Sequence, residues 1–346
     1  MNSNKCFKLI NPNLNVKTNI IYLTLFLFCV LSSCHKEEPV VENDDTYIQQ
    51  LPAGFAPMII PDSNQLTKSR VALGKRLFND VALSRTNEVS CASCHKQNLA
   101  FADSVAFSPG VEGRGGVRNA PTLFNVGYLD RLLSEGGVPT LEMQVLVPIQ
   151  EHNEFDFNVL ELTERLETDP TYVEMSQKAY KRTIDPYVIT RALAAFERTL
   201  ISGNSPYDQY AYQNNTNALT ASQKEGLALF MSDSLACSSC HAGFLFTNKG
   251  FENNGLYEVY PDSGRIRLTL NPADRGKFKV PTLRNIAKTA PYMHDGSRPN
   301  LDAVINHYAS GGANHPNKNP LIKGFVLTET QKTNLKAFLQ SLTESD

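Results

Sequence analysis

Two pentapeptides carry the chemistry most legible in this chain, Cys91-Ala92-Ser93-Cys94-His95 and Cys237-Ser238-Ser239-Cys240-His241. They use four of its seven cysteines and two of its seven histidines. Cysteines at this spacing lie about one helical turn apart, so both thiols can add to the two vinyl groups of one porphyrin while the adjacent imidazole reaches the iron. Each pentapeptide therefore reads as a covalent haem c site. Cys91 and Cys94 attach one porphyrin and Cys237 and Cys240 another, with His95 and His241 as iron ligands. A zinc site would need a second ligand pair near each motif, and neither flank supplies one.

The elements that must hold two haems repeat along the chain. Leu66-Thr67 and then Gly74-Lys75-Arg76-Leu77-Phe78 precede the first motif, as Leu219-Thr220 and Gly226-Leu227-Ala228-Leu229-Phe230 precede the second. Downstream, Asn119-Ala120-Pro121-Thr122-Leu123 is echoed by Lys279-Val280-Pro281-Thr282-Leu283, and Glu135-Gly136 with Leu141-Glu142 by Asp295-Gly296 with Leu301-Asp302. This is a duplicated unit of helix, haem motif, long loop, Pro-Thr-Leu turn and helix. A length of 346 residues suits two such domains, each with its own core. Asp185-Pro186 opens a helix whose Val188, Ile189, Leu193, Phe196 and Leu200 share an apolar face, and Gly203-Asn204-Ser205-Pro206 ends it. With no long polar–apolar alternation to argue for a sheet, the expected fold is all-α: two tandem cytochrome c-like haem domains, 51–204 and 205–346, related by a pseudo-twofold.

A formal net charge of -2 with scattered basic residues excludes the positive field a nucleic-acid partner would require. Near the N-terminus, Lys5, Lys8 and Lys17 precede an apolar run from Ile20 to Leu31, too short to span a membrane and suited to an export signal over 1–33. Leu31-Ser32-Ser33-Cys34 then resembles a bacterial lipoprotein cleavage box with Cys34 as the acylated residue; the alternative is a cysteine that merely follows small residues. Residues 34–50 read as an acidic flexible tether. These features predict an exported, periplasmic lipoprotein of a Gram-negative bacterium, reaching the membrane through its lipid alone.

Two haem motifs on a duplicated helical unit, with Arg118-Asn119-Ala120-Pro121-Thr122 and Pro291-Tyr292-Met293-His294-Asp295-Gly296, resemble the bacterial di-haem cytochrome c peroxidases. That family includes the methylamine-utilisation haem enzyme, which oxidises a partner protein. The resemblance runs from Leu66 to Leu342. It implies a peroxidatic first haem, an electron-accepting second haem and one calcium ion held by Asn119, Thr289 and Pro291, the last two through backbone oxygens. It also makes Leu141-Glu142-Met143-Gln144 and Glu154-Phe155 the active-site segment. Glu154 would then be the proton-transfer group and Gln144 the amide that orients peroxide. By residue type alone, Glu151, Glu154 and Asp156 read equally as a solvated acidic loop.

Whether each iron moves electrons or binds peroxide depends on its sixth ligand. In the segment Leu301–Tyr308, Tyr308 shares a helical face with Leu301, Val304 and Ile305, which makes it the first candidate for the second haem; His307 and Met293 remain alternatives. Where the classical peroxidases place a detachable histidine, this chain has Val111, which cannot ligate iron. Where most members place a tryptophan between the haems, it has Ser134, and no tryptophan occurs anywhere. Three functions follow. The first is reduction of hydrogen peroxide with electrons from a small exported cytochrome or copper protein. The others are oxidation of a partner protein or small organic substrate, and electron carriage without catalysis. A homodimer is compatible with each.

Overall fold

Thr67 opens the first helix of the computed structural model, which describes residues 45–345. Its hydroxyl accepts from Arg70 N and satisfies one of the amides that every helix start leaves unpaired. The helices follow as α1 (Lys68–Asn79), α2 (Cys91–Cys94), α3 (Leu141–Gln144), α4 (Leu146–Gln150), α5 (Val159–Glu167), α6 (Pro170–Tyr180) and α7 (Pro186–Glu197). After them come α8 (Pro206–Tyr212), α9 (Ala221–Phe230), α10 (Cys237–Cys240), α11 (Ile266–Thr269), α12 (Leu301–Ala309) and α13 (Glu329–Gln340). Capping recurs where the sequence predicts it. Asp185 accepts from Val188 N at the start of α7, with Pro186 at the first turn, and Thr220 and Gln223 form a reciprocal capping box on α9.

The fold is helix-rich with long irregular connections, and it departs from the all-α expectation at one small antiparallel pair, β1 (Phe251–Glu252) with β2 (Phe278–Lys279). Strands of two residues carry no alternation for a sequence to display. α7 also stops at Glu197, ahead of the Gly203 break, although Leu200 remains buried.

The duplication is reproduced contact by contact. α1 crosses α7 at Gly74, where an added Cβ would lie 1.9 Å from Ala192 O; α9 crosses α13 at Gly226, where it would lie 1.9 Å from Asn334 O. Only a residue without a side chain permits either approach. Beside these crossings the rings of Phe78 and Phe196 sit 5.1 Å apart, as do those of Phe230 and Phe338. Thr122 Oγ1 donates to Ala100 O and Thr282 Oγ1 to Leu245 O, both at 2.6 Å. One hydrophobic core is drawn from residues between Leu73 and Leu200, the other from residues between Phe230 and Leu342.

Several polar ties join the two sequence halves. Asn285 Nδ2 donates to Ser202 Oγ, Arg118 pairs with Asp262 at 2.7 Å as well as with Glu135, and Lys249 Nζ donates to Tyr128 O. The segment 45–50, expected as part of the tether, is instead fixed to the fold. Asp45 accepts from Ser69 N and Ser69 Oγ at the N-terminus of α1, where a negative charge is favoured, and Gln49 Nε2 donates to Arg198 O. Cys34 and the export signal lie outside the described residues.

Candidate functional site

Both Cys-x-x-Cys-His motifs open onto one continuous cavity of about 1010 Å³, at the upper end for a small-molecule site. Cys91, Cys94 and His95 line one part of it and Cys237, Cys240 and His241 the other, and all four cysteines are free. Each motif is a four-residue helix with its histidine at the C-cap, which puts both thiols and the imidazole on the same wall. The ring orientation is set from behind: His95 Nδ1 bonds Phe101 O at 2.9 Å and His241 Nδ1 bonds Phe246 O at 3.1 Å. A backbone acceptor on Nδ1 fixes the tautomer that leaves Nε2 as the metal-binding nitrogen. Burial holds both imidazoles below the ordinary histidine value, which keeps them neutral as a ligand must be. Thiols, oriented imidazoles and a largely apolar enclosure are what two covalently bound haems require.

Gln144, at the end of α3, and Glu154, in the loop after α4, line the same cavity as His95. The Glu154 loop is held from its backbone, with Val111 N donating to Glu154 O at 2.9 Å. Gly110 permits this approach, since a Cβ there would lie 2.1 Å from Asn153 O. Glu154 remains exposed, with its side chain part of the cavity lining. Burial, with a smaller push from Glu151, raises its carboxyl to about 6. This separates Glu154 from its neighbours in the acidic loop. Asp156 is instead held below the ordinary carboxylate value first by His152 and then, against partial burial, by Arg85 and Arg114, while Glu151, exposed like Glu154, shares the cavity lining with it.

The remaining expected residues fall into two groups. Tyr308 on α12 lines the cavity beside Cys237, Cys240 and His241, and burial raises its hydroxyl to about 12. Neighbouring His307 turns away, its Nε2 bonded to Asn254 O at 3.0 Å, while Met293 Sδ accepts from Asn254 Nδ2. Asn119, Thr289 and Pro291 are all on the cavity wall, and Asn119 N donates to His294 O, which brings the two segments together. Val111 is fully buried in the first core and is not part of the wall. His152 is exposed and paired with Asp156, and Glu112 is engaged by Arg85 and Arg114, so neither side chain is directed at the first motif.

Three features of the cavity went unread in the sequence. The rings of Phe278 and His294 stack 3.8 Å apart on its wall, close to Ser134, whose carbonyl accepts from Lys279 N. Lys279 itself is half-buried, desolvation pushing its amine down to about 8, with Nζ donating to Arg131 O. The third is Glu197, the last residue of α7, which also lines the cavity. Its position four residues after Leu193 put it on the predicted apolar face, a signal that was available.

Comparison with known proteins identifies the family. Residues 68–217 match the family described as di-haem cytochrome c peroxidase. The chain is 35% identical over 286 residues to the methylamine utilization protein MauG of Methylorubrum extorquens, covering 82% of this chain and 80% of that protein. It is 33% identical over 332 residues to the cytochrome-c peroxidase IdrP1 of a Pseudomonas species, covering 85% and 86%. A solved MauG-like protein associated with microbial copper homeostasis superposes with a TM-score of 0.82 at 32% identity, covering 86% of this chain and 96% of that one. The chain belongs to the di-haem cytochrome c peroxidase family, a family of haem c oxidoreductases.

Proposed function

We propose that this protein reduces hydrogen peroxide to water at the first motif, with electrons delivered through the second from a small exported cytochrome or cupredoxin. The carrying observation is Glu154, a desolvated carboxyl raised to about 6 in the cavity that His95 lines. In this reading Cys91 and Cys94 attach the first haem with His95 on its iron, and Cys237 and Cys240 attach the second with His241 and Tyr308 on its iron. When bound, the first haem supplies the iron that coordinates peroxide and the electrons that cleave its O–O bond. Glu154 accepts the proton of the bound peroxide and returns it to the departing oxygen, while the Gln144 amide orients the peroxide by hydrogen bonding. A carboxyl at the ordinary glutamate value would be too acidic to return that proton near neutral pH.

Asn119, with backbone oxygens of Thr289 and Pro291, offers the hard oxygen ligands that calcium prefers, and we assign calcium there. Cys34 would anchor the exported chain through its lipid. The two tandem haem domains correspond to the two cores. Steady-state peroxide turnover with a generic reduced cytochrome, run beside Glu154→Gln, tests the reading; absent turnover in the two-haem protein would overturn it. A second reading, oxidation of a partner protein, draws support from the similarity to MauG and from Tyr308 beside the second motif. It predicts peroxide-dependent modification of a partner with little cytochrome oxidation.

A further inference from the structure

Glu197 is the last residue of α7, a helix whose preceding turn of Ala192, Leu193, Ala194 and Ala195 is fully buried. It keeps 6% of its surface, lines the haem cavity, and its Oε2 is enclosed without a hydrogen-bond partner among the described residues. The cation next to it is already committed: Arg198 Nη1 and Nη2 bond Glu142 Oε1 and Oε2 at 2.6 and 3.0 Å. The C-terminal end of a helix dipole adds a further penalty on negative charge. A buried carboxyl in such a setting is expensive as an anion, and an unsatisfied one calls for an explanation.

The surroundings point to the first haem. Cys91, the first attachment cysteine, lines the same cavity as Glu197, and its thiol is raised by burial and then by the charge of Glu197 ahead of every other residue. The charged or titratable groups that act on Glu197 or on Cys91 are Cys91 and Cys94 on α2, Glu142 on α3, Glu154 after α4, and Arg198 next to Glu197. Cys91 ceases to titrate once it is a thioether, and Glu142 and Arg198 neutralise each other. The variable charges left are that of Glu154, which ranks behind Glu197 at Cys91, and that of the haem iron.

We propose that Glu197 is a redox-linked proton site of the first haem, binding one proton when that haem gains one electron and releasing it on oxidation. The step balances: a one-electron reductant lowers the iron by one positive charge, and a proton from solvent converts the Glu197 carboxylate to the neutral acid. Losing the cationic partner is what makes the proton bind more tightly. Burial raises this carboxyl to about 8 before any iron charge is counted, which places the exchange across neutral pH once a ferric haem pulls the value down. Glu197 would thus keep a proton inside the cavity in which Glu154 handles the proton of peroxide. The inference depends on haem loading and not on peroxide turnover.

The test uses the two-haem protein without peroxide. Spectroelectrochemical titration from about pH 5 to about pH 9 should show the first-haem potential falling as pH rises through neutrality, towards the limit of about 59 mV per pH unit for a one-proton, one-electron couple. Redox-difference infrared spectra should show a protonated-carboxyl band gained on reduction and shifted in deuterium oxide. Glu197→Gln should abolish the band and flatten the slope, and Glu197→Asp should keep a displaced band. Wild-type protein lacking the band, or Glu197→Gln retaining band and slope, overturns the proposal. If Glu197→Gln fails to load haem, wild type and Glu197→Asp decide: an undisplaced band in Glu197→Asp assigns the proton elsewhere.

Discussion

Acidification should switch this protein off through Glu154. A base works in its deprotonated form, and the Glu154 carboxyl is raised to about 6, first by burial and then by Glu151. The sign follows: activity is present above that value and lost as pH falls through it. A single group titrating at about 6 is about one tenth deprotonated at pH 5 and about nine tenths at pH 7, so kcat/KM for peroxide should rise roughly tenfold across that interval. Glu154→Gln cannot accept the proton and should lower turnover about a hundredfold or more, the usual scale for losing a positioned acid–base group, and it should remove the acid limb. Glu151→Gln, which only deletes a like charge, should move the limb to lower pH while sparing the plateau. The assay is initial-rate oxidation of reduced cytochrome at saturating donor, with haem content verified for each variant. A Glu154→Gln protein that keeps its acid limb, or turns over within a few fold of wild type, would refute the assignment.

Four further outcomes are expected. A pyridine haemochrome assay should return two covalent haems per chain, and Cys91→Ser with Cys94→Ser should reduce this to one. Because Val111 is off the cavity wall and His152 is paired with Asp156, the fully oxidised protein should show a high-spin ferric signal in electron paramagnetic resonance and react with peroxide without prior reduction. Two low-spin signals would reveal a capping ligand. Arg284→Met strips the fully buried Asp208 of both 2.8 Å bonds and should cost about 3–5 kcal/mol in urea unfolding; a loss below about 1 kcal/mol would contradict the pairing. Cys34→Ala should release the protein from membranes, and retention would mean a different anchor.

Sequence alone determined whatever depends on neighbours a few residues apart. The thiol–thiol–imidazole spacing of the two motifs is a property of one helical turn, and Thr67, Asp185 and Thr220 cap helices through amides three residues ahead. The glycines at 74 and 226 were visible as a repeat, although their reason, backbone contact with α7 and α13, lies over a hundred residues away. Helical periodicity separates Tyr308 from His307, and in the structure Tyr308 lines the cavity while His307 bonds Asn254 O off its wall. Tertiary structure alone decided the rest. The acidic loop offers Glu151, Glu154 and Asp156 in similar chemical dress; only folding raises the Glu154 carboxyl at the cavity and gives Asp156 to His152, Arg85 and Arg114. The supposed tether is docked from Asp45 onward because a distant helix N-terminus meets it. Glu197 was a charged residue on an apolar helical face, which a sequence shows as an irregularity. That it has no counter-ion follows from Arg198 pairing with Glu142 across 56 positions, since desolvation and charge pairing depend on distance in space and not along the chain.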